Sequence, residues 1–263
     1  MNLSILNKKK QQGEKITCLT AYDASFARLL ERAGVDMLMV GDSLGMVIQG
    51  QASTLPVKLE HMLYHCQNVR RGCSAEMFVI VDMPFMSYSQ APQALENAAY
   101  LVQEGQANMV KLEGGGQVAQ CIEAIVAHGI PVCAHLGLTP QSVNKIGGYR
   151  VQGRGERNAQ TIFEDALKLQ DCGANMLVLE CVPQQLGKQI SEKLEIPVIG
   201  IGAGAYCDGQ VLVSYDMLGI NQMHLPRFVK DFSKEADGWL EAVQKFVAEV
   251  KSGQFPASEH CYE

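Results

Sequence analysis

The amino-acid sequence predicts a (β/α)8 TIM barrel, on three observations. Short apolar runs recur eight times, helical stretches closed by glycine separate them, and 263 residues is the length of one such barrel. The runs cover residues 16–22, 37–41, 77–82, 109–112, 130–135, 176–180, 197–202 and 211–213. They are mostly rich in Val, Ile, Leu and Met and largely apolar rather than alternating, as a strand buried on both faces of a parallel sheet must be. The stretches 25–33 before Gly34, 92–103 before Gly105 and 159–171 before Gly173 carry helical periodicity, and each glycine suits a helix C-cap. A doubly wound open sheet is the alternative. It would carry a glycine-rich first turn, whereas the first run here ends in Thr20-Ala21-Tyr22-Asp23.

Two loops exceed ordinary barrel length, from Ser43 to about residue 58 and from Gly137 to about residue 157. Both leave C-terminal strand ends, the face that carries barrel active sites, and both are candidate lids. Residues about 229–251 read as one or two helices with an apolar stripe of Trp239, Leu240, Val243, Phe246, Val247 and Val250. Residues 253–263 are expected to be loosely held. With no linker or low-complexity segment, residues 1–263 are expected to form one domain.

The net charge of −6 and the lack of a Lys/Arg stripe argue against a nucleic-acid partner. Lys8-Lys9-Lys10 and Arg70-Arg71 read as solvated surface. Nine cysteines without C-x-x-C spacing support neither a zinc ribbon nor a redox pair. Thiols embedded in apolar runs fit a reducing, cytoplasmic setting. No run approaches the about 20 apolar residues of a membrane span, so no membrane partner is expected.

Four carboxylates end strands where packing alone disfavours them: Val40-Gly41-Asp42, Ile80-Val81-Asp82, Lys111-Leu112-Glu113 and Val178-Leu179-Glu180. A carboxylate at a barrel mouth is costly unless hydrogen-bonded, paired or on a metal. Asp42, Asp82 and Glu113 come from successive strands, and an all-oxygen set with room for water and substrate suits Mg²⁺. The alternative is that each acid caps a helix or joins a rim ion pair. Lys111 and Glu113, two residues apart, face the same side. Lys111 either offers a cation to a substrate carboxylate or enolate, or neutralises Asp82 or Glu113. His135 points into the same mouth, either as a substrate contact or as a structural hydrogen-bonder. Gly200–Gly204 either makes room for a bulky ligand, the favoured reading, or binds phosphate on backbone N–H groups. His61 and His65, four apart without the H-E-x-x-H glutamate, read as a surface or interface pair.

Further blocks complete the pattern: Asp42-Ser43-Leu44-Gly45-Met46, Asp82-Met83-Pro84-Phe85-Met86, His135-Leu136-Gly137-Leu138-Thr139-Pro140-Gln141, Gly147-Gly148-Tyr149-Arg150, Glu180-Cys181-Val182-Pro183 and Asp216-Met217-Leu218-Gly219. In this order the chain resembles the ketopantoate hydroxymethyltransferase (3-methyl-2-oxobutanoate hydroxymethyltransferase) family from about Ile16 to Gly253. The resemblance implies a barrel of the phosphoenolpyruvate/pyruvate type and transfer of a one-carbon unit from 5,10-methylenetetrahydrofolate to 3-methyl-2-oxobutanoate. It implies Mg²⁺ on Asp42, Asp82 and Glu113, substrate contacts at Asp42, Ser43, Asp82 and Lys111, and Glu180 as proton acceptor. It further implies a homo-oligomer, a decamer of paired pentameric rings. Two rivals remain open: another Mg²⁺-dependent 2-oxo-acid lyase or aldolase barrel, and a non-catalytic metabolite-binding barrel.

Overall fold

The computed structural model describes residues 1–221 and 225–263. A short amphipathic helix opens the chain, α1 (Leu3–Gln12), capped by Asn2 and stopped by Gly13 in the left-handed conformation. The repeating units follow: β1 (Ile16–Thr20), α2 (Ala24–Arg32), β2 (Met37–Val40), α3 (Leu44–Val47), α4 (Leu59–Gly72), β3 (Phe78–Asp82), α5 (Ala91–Gln103), β4 (Met109–Glu113) and α6 (Ala119–Ala127). The second half contains β5 (Val132–Gly137), α7 (Val143–Ile146), α8 (Glu156–Asp171), β6 (Met176–Glu180), α9 (Gln184–Lys193), β7 (Val198–Ile201), β8 (Gly209–Leu212), α10 (Ser214–Met217) and α11 (Trp239–Ser252). The strands close in sequence order, β8 pairing in parallel with β1. The predicted barrel is therefore present, with strand ends shifted by one or two residues. The eight apolar runs are buried because helices cover one face of each strand and the barrel interior covers the other.

Register decides which side chains meet. Neighbours in register face the same side of a parallel sheet, so pairing of Asp82 with Lys111 and of Glu113 with His135 stacks polar groups at the C-terminal end of the barrel.

Three surface readings need correction. Lys9 lies 3.3 Å from Asp36, and Lys10 lies 2.6 Å from Asp208. Both acids precede strands, so Lys9 and Lys10 clamp α1 beneath the N-terminal end of the barrel, while Lys8 is exposed as expected. Arg70 is not free surface either; its guanidinium donates to the Met77 carbonyl at 2.8 Å. The stretch 253–263, expected to be loose, packs tightly. Phe255 is 3 % exposed and meets Phe232 edge-on at 5.5 Å, and Gln184 N–H donates to the Tyr262 carbonyl at 2.9 Å. The Phe255 ring, the bridge between Pro183 and Tyr262, the buried Cys261 and the bond from Arg227 to the Glu259 carbonyl hold the tail, and none of them leaves a periodic signal. The α11 stripe packs on the barrel as expected, burying Val243, Phe246, Val247 and Val250, while Trp239 stays half exposed against Phe26.

Among the described residues, no helix is long and apolar enough to cross a membrane. The nine cysteines are all free thiols.

Candidate active site

A cavity of about 600 Å³ opens at the C-terminal end of the barrel and is lined by every site residue predicted from the sequence: Asp42, Ser43, Asp82, Lys111, Glu113, His135 and Glu180. Except for the moderately buried Ser43 and Glu180, these side chains are almost fully removed from solvent. Charge taken out of water must be compensated, and here it is compensated in a chain. The Lys111 ammonium lies 3.0 Å from Asp82 Oδ1 and 3.7 Å from Glu113 Oε1. His135 places Nδ1 at 3.3 Å from Glu113 Oε1 and Nε2 at 3.3 Å from Glu180 Oε2. Both roles weighed for Lys111 are thus compatible: it neutralises acids and also faces the cavity.

Protonation follows from these contacts. Burial and the neighbouring ammonium oppose a charged His135, but the carboxylates of Glu113 and Glu180 outweigh them and push its pKa up to about 9. The two flanking carboxylates thus favour the protonated ring. Burial would also discharge Lys111, yet Asp82, Glu113 and Asp42 hold it charged. Burial pushes Glu113 up, but His135 and Lys111 prevail and keep its carboxyl below the usual range. Asp42 moves the other way: burial first, then repulsion from Glu113 and Asp82, lift it well above an ordinary aspartate.

Sequence reasoning assigned no role to Gln141. Its side-chain amide donates to Asp42 Oδ2 at 2.8 Å and to the Met83 carbonyl at 3.0 Å, while its backbone N–H donates to Glu113 Oε2 at 3.0 Å. The Tyr88 hydroxyl donates to Gln141 Oε1, the side-chain amide oxygen. The available signal was the His135–Gln141 block, which carries the glutamine into the mouth six residues after a strand-end histidine. Ser43 reaches the Tyr22 hydroxyl at 2.9 Å, fixing the start of the strand-2 loop. Glu180 is set by its backbone: its carbonyl accepts from Leu138 N–H at 2.8 Å, and a Cβ at Gly137 (φ +89°) would sit 2.1 Å from that carbonyl oxygen. Only glycine lets strand 5 pass so close. Over the cavity the two long loops touch, Tyr149 Oη donating to Met46 Sδ at 3.5 Å.

Two other motifs resolve differently. In the Gly200–Gly204 block, a Cβ at Gly202 would meet the Phe228 ring at 2.8 Å, so this glycine makes room for a protein side chain and not for a ligand. His61 Nδ1 accepts from Lys58 N–H, and His65 Nδ1 faces the Tyr22 carbonyl at 2.7 Å, so the pair is structural.

The donor set can be tested against a metal ion. Asp82 Oδ1 is a buried oxygen with no well-directed hydrogen bond despite its proximity to Lys111. Asp42 is buried beside the carboxylates of Glu113 and Asp82, an arrangement that a cation would ease. Both fit a hard cation. Among the described residues, however, no three acid, histidine or cysteine side chains form a ready cluster. Lys111 stands between Asp82 and Glu113, and Gln141 between Asp42 and Glu113. The acids suit an ion whose shell is completed by water and substrate, not a closed protein cage.

Comparison with known proteins agrees with this architecture. The chain is 58% identical over 262 residues to the 3-methyl-2-oxobutanoate hydroxymethyltransferase of Nitrosococcus oceani, covering 100% of this chain and 99% of that protein. It is 54% identical to the protein of the same name from Idiomarina loihiensis, covering 100% and 98%. Solved structures that share the fold at low identity include a putative phosphonomutase from Burkholderia cenocepacia (TM-score 0.67, 16% identity, covering 84% and 96%). Another is a phosphoenolpyruvate phosphomutase from Streptomyces platensis (TM-score 0.63, 14% identity, covering 96% and 88%). The family model that matches residues 1–258 is that of ketopantoate hydroxymethyltransferase, and the chain belongs to this family.

Proposed function

We propose that this enzyme transfers a hydroxymethyl group from 5,10-methylenetetrahydrofolate to 3-methyl-2-oxobutanoate, giving 2-dehydropantoate for pantothenate synthesis. The observation that carries the reading is the buried chain Asp82–Lys111–Glu113–His135–Glu180 within one cavity, in a chain 58% identical to a relative of that name. A five-carbon 2-oxo acid needs a cation at its carboxylate, charge stabilisation at its keto oxygen and a base at C3. Lys111 supplies the first and adds to the second. Glu180, on β6, takes the C3 proton while the C–H electron pair forms the enolate double bond. Water displaces both folate nitrogens from the methylene carbon, each nitrogen leaving with one of the water's protons, and C3 then adds to the carbonyl carbon of the formaldehyde so released, whose oxygen takes the proton back from Glu180 to become the hydroxyl. His135, with Nε2 at 3.3 Å from Glu180 Oε2, orients that carboxylate. Closure of the two long loops, which touch at Met46 and Tyr149, would keep bulk water from the enolate.

Asp42, Asp82 and Glu113 would hold Mg²⁺, with Gln141 orienting two of them. Mg²⁺ when bound supplies Lewis-acid polarisation of the keto group. Ser43 would contact the substrate beside Asp42. The same reading carries a cytoplasmic, homo-oligomeric enzyme, a decamer, in keeping with nine unpaired thiols.

The deciding assay is turnover of 3-methyl-2-oxobutanoate with and without methylenetetrahydrofolate, and with and without Mg²⁺. Product that requires both supports the proposal. Cleavage or condensation independent of folate would instead indicate a lyase-type reaction.

A further inference from the structure

The cavity has a second polar pole that the chemistry above does not use. Asp216 lies in α10, just beyond β8, and lines the same cavity as Lys111 and Glu180. It is 9 % exposed, and burial raises its carboxyl above the usual aspartate range against the opposing hydrogen bond from Asn221. Asn221 Nδ2 donates to Oδ1 at 2.7 Å. Among the described residues, Oδ2 receives no hydrogen bond and no cation pairs with the group. A buried carboxylate with one oxygen open to a cavity is costly unless a ligand supplies donors. The same cavity is also lined by the apolar side chains of Phe228, Pro226, Val213 and Ile201.

The volume points the same way. About 600 Å³ is the size of a pocket for a drug-sized molecule, and a five-carbon 2-oxo acid at the Lys111 pole leaves most of it empty. The proposed reaction brings a second, larger ligand. Its pterin presents a flat face and, on one edge, two adjacent donors, N3–H and the 2-amino group. A carboxylate is the complementary acceptor: Oδ2 takes one N–H, and Oδ1, which keeps a lone pair beside its Asn221 bond, takes the other, while Phe228, lining the same cavity, offers an aromatic surface for the flat face. The phosphate that many barrels bind after strands 7 and 8 is disfavoured here by the negative charge of Asp216.

We infer that Asp216 reads the 2-amino-4-oxopyrimidine edge of the folate, placing the pterin against the β7–β8 side of the cavity. The inference rests on the transferase reading above. Its test therefore separates two half-reactions: folate-free exchange of the C3 proton of 3-methyl-2-oxobutanoate, and folate-dependent transfer.

Asp216→Asn keeps the acceptor for Asn221 but can turn the second oxygen into a donor facing donors. It should raise the KM for methylenetetrahydrofolate by about 10–100-fold, the value of a charge-assisted hydrogen bond, and leave C3 exchange at the wild-type rate. An unchanged folate KM overturns the inference. So does parallel loss of exchange and transfer in a variant with a native circular-dichroism spectrum, which would make Asp216 a structural partner of Asn221. Should the variant fail to fold, calorimetry on the unaltered protein serves instead. Tetrahydrofolate should bind at least about 10-fold more tightly than its 2-desamino-2-methyl analogue, and equal affinity overturns the assignment. Exchange without any folate-dependent transfer in the unaltered enzyme overturns the proposed reaction, and this inference with it.

Discussion

Gln141 holds Asp42 by its side-chain amide at 2.8 Å, and the same residue's backbone N–H holds Glu113 at 3.0 Å. One residue at the start of the strand-5 loop thus sets the separation of two acids that come from different strands. Gln141→Ala should weaken Mg²⁺-dependent binding of the 2-oxo acid by about 10–100-fold, the usual effect of removing a group that orients metal ligands. Titration calorimetry with 3-methyl-2-oxobutanoate at fixed Mg²⁺ measures it. Unaltered affinity would mean that the acids are positioned without it.

Glu113→Ala acts on the proposed ligand itself. Affinity for the 2-oxo acid in the presence of Mg²⁺ should fall, and His135 should lose the partner that contributes most to its elevated pKa. If calorimetry returns the wild-type affinity, Glu113 is not part of the metal shell.

Glu180 makes a different demand. Glu180→Gln should abolish exchange of the C3 proton while Mg²⁺-dependent substrate binding survives, because the amide fills the same space but takes no proton. Nuclear magnetic resonance in deuterated water follows the exchange directly. Exchange at a near wild-type rate removes Glu180 as the base.

Lys111→Met leaves Asp82 and Glu113 buried without their shared cation. Removing one partner of a buried pair costs about 3–5 kcal/mol, so thermal unfolding without Mg²⁺ should shift several degrees downward. Added Mg²⁺ should recover part of the loss by replacing the missing charge. An unchanged melting temperature would show that Lys111 does not stabilise the two buried acids.

Phe255→Ala tests the tail. Phe255 is buried among Phe232, Phe246 and His260, and truncating such a ring costs about 3–5 kcal/mol. Tyr262, which lines the cavity, depends on the same anchor. Denaturant unfolding should register the lost stability, and the KM for substrate should rise with it. A wild-type midpoint would mean that the tail contributes nothing to the folded state.

Much of this protein was legible in the chain itself. Eight apolar runs with glycine-closed helices between them imply a parallel sheet, because a strand without alternation must be covered on both faces, and their number in this length favours a barrel. Asp42, Asp82, Glu113 and Glu180 stood out because an acid at the end of an apolar run has no packing explanation, and the two-residue spacing of Lys111 and Glu113 put both on one face. Other features could not be read this way. Gln141, Tyr88 and Asp216 are polar residues in or beside loops, where such residues are ordinary. The clamps of Lys9 on Asp36 and Lys10 on Asp208 join residues far apart in the chain.

The sequence by itself determined the fold class and the identity of the charged residues at the strand ends, since both follow from local patterns of burial. Only the tertiary structure decided what those charges do to one another. Strand register set Asp82 beside Lys111 and Glu113 beside His135, the strand-5 loop brought Gln141 across to Asp42, and the tail carried Tyr262 to the cavity. Each is a contact between distant segments, fixed by barrel closure and side-chain packing, and no pattern of neighbouring residues encodes it.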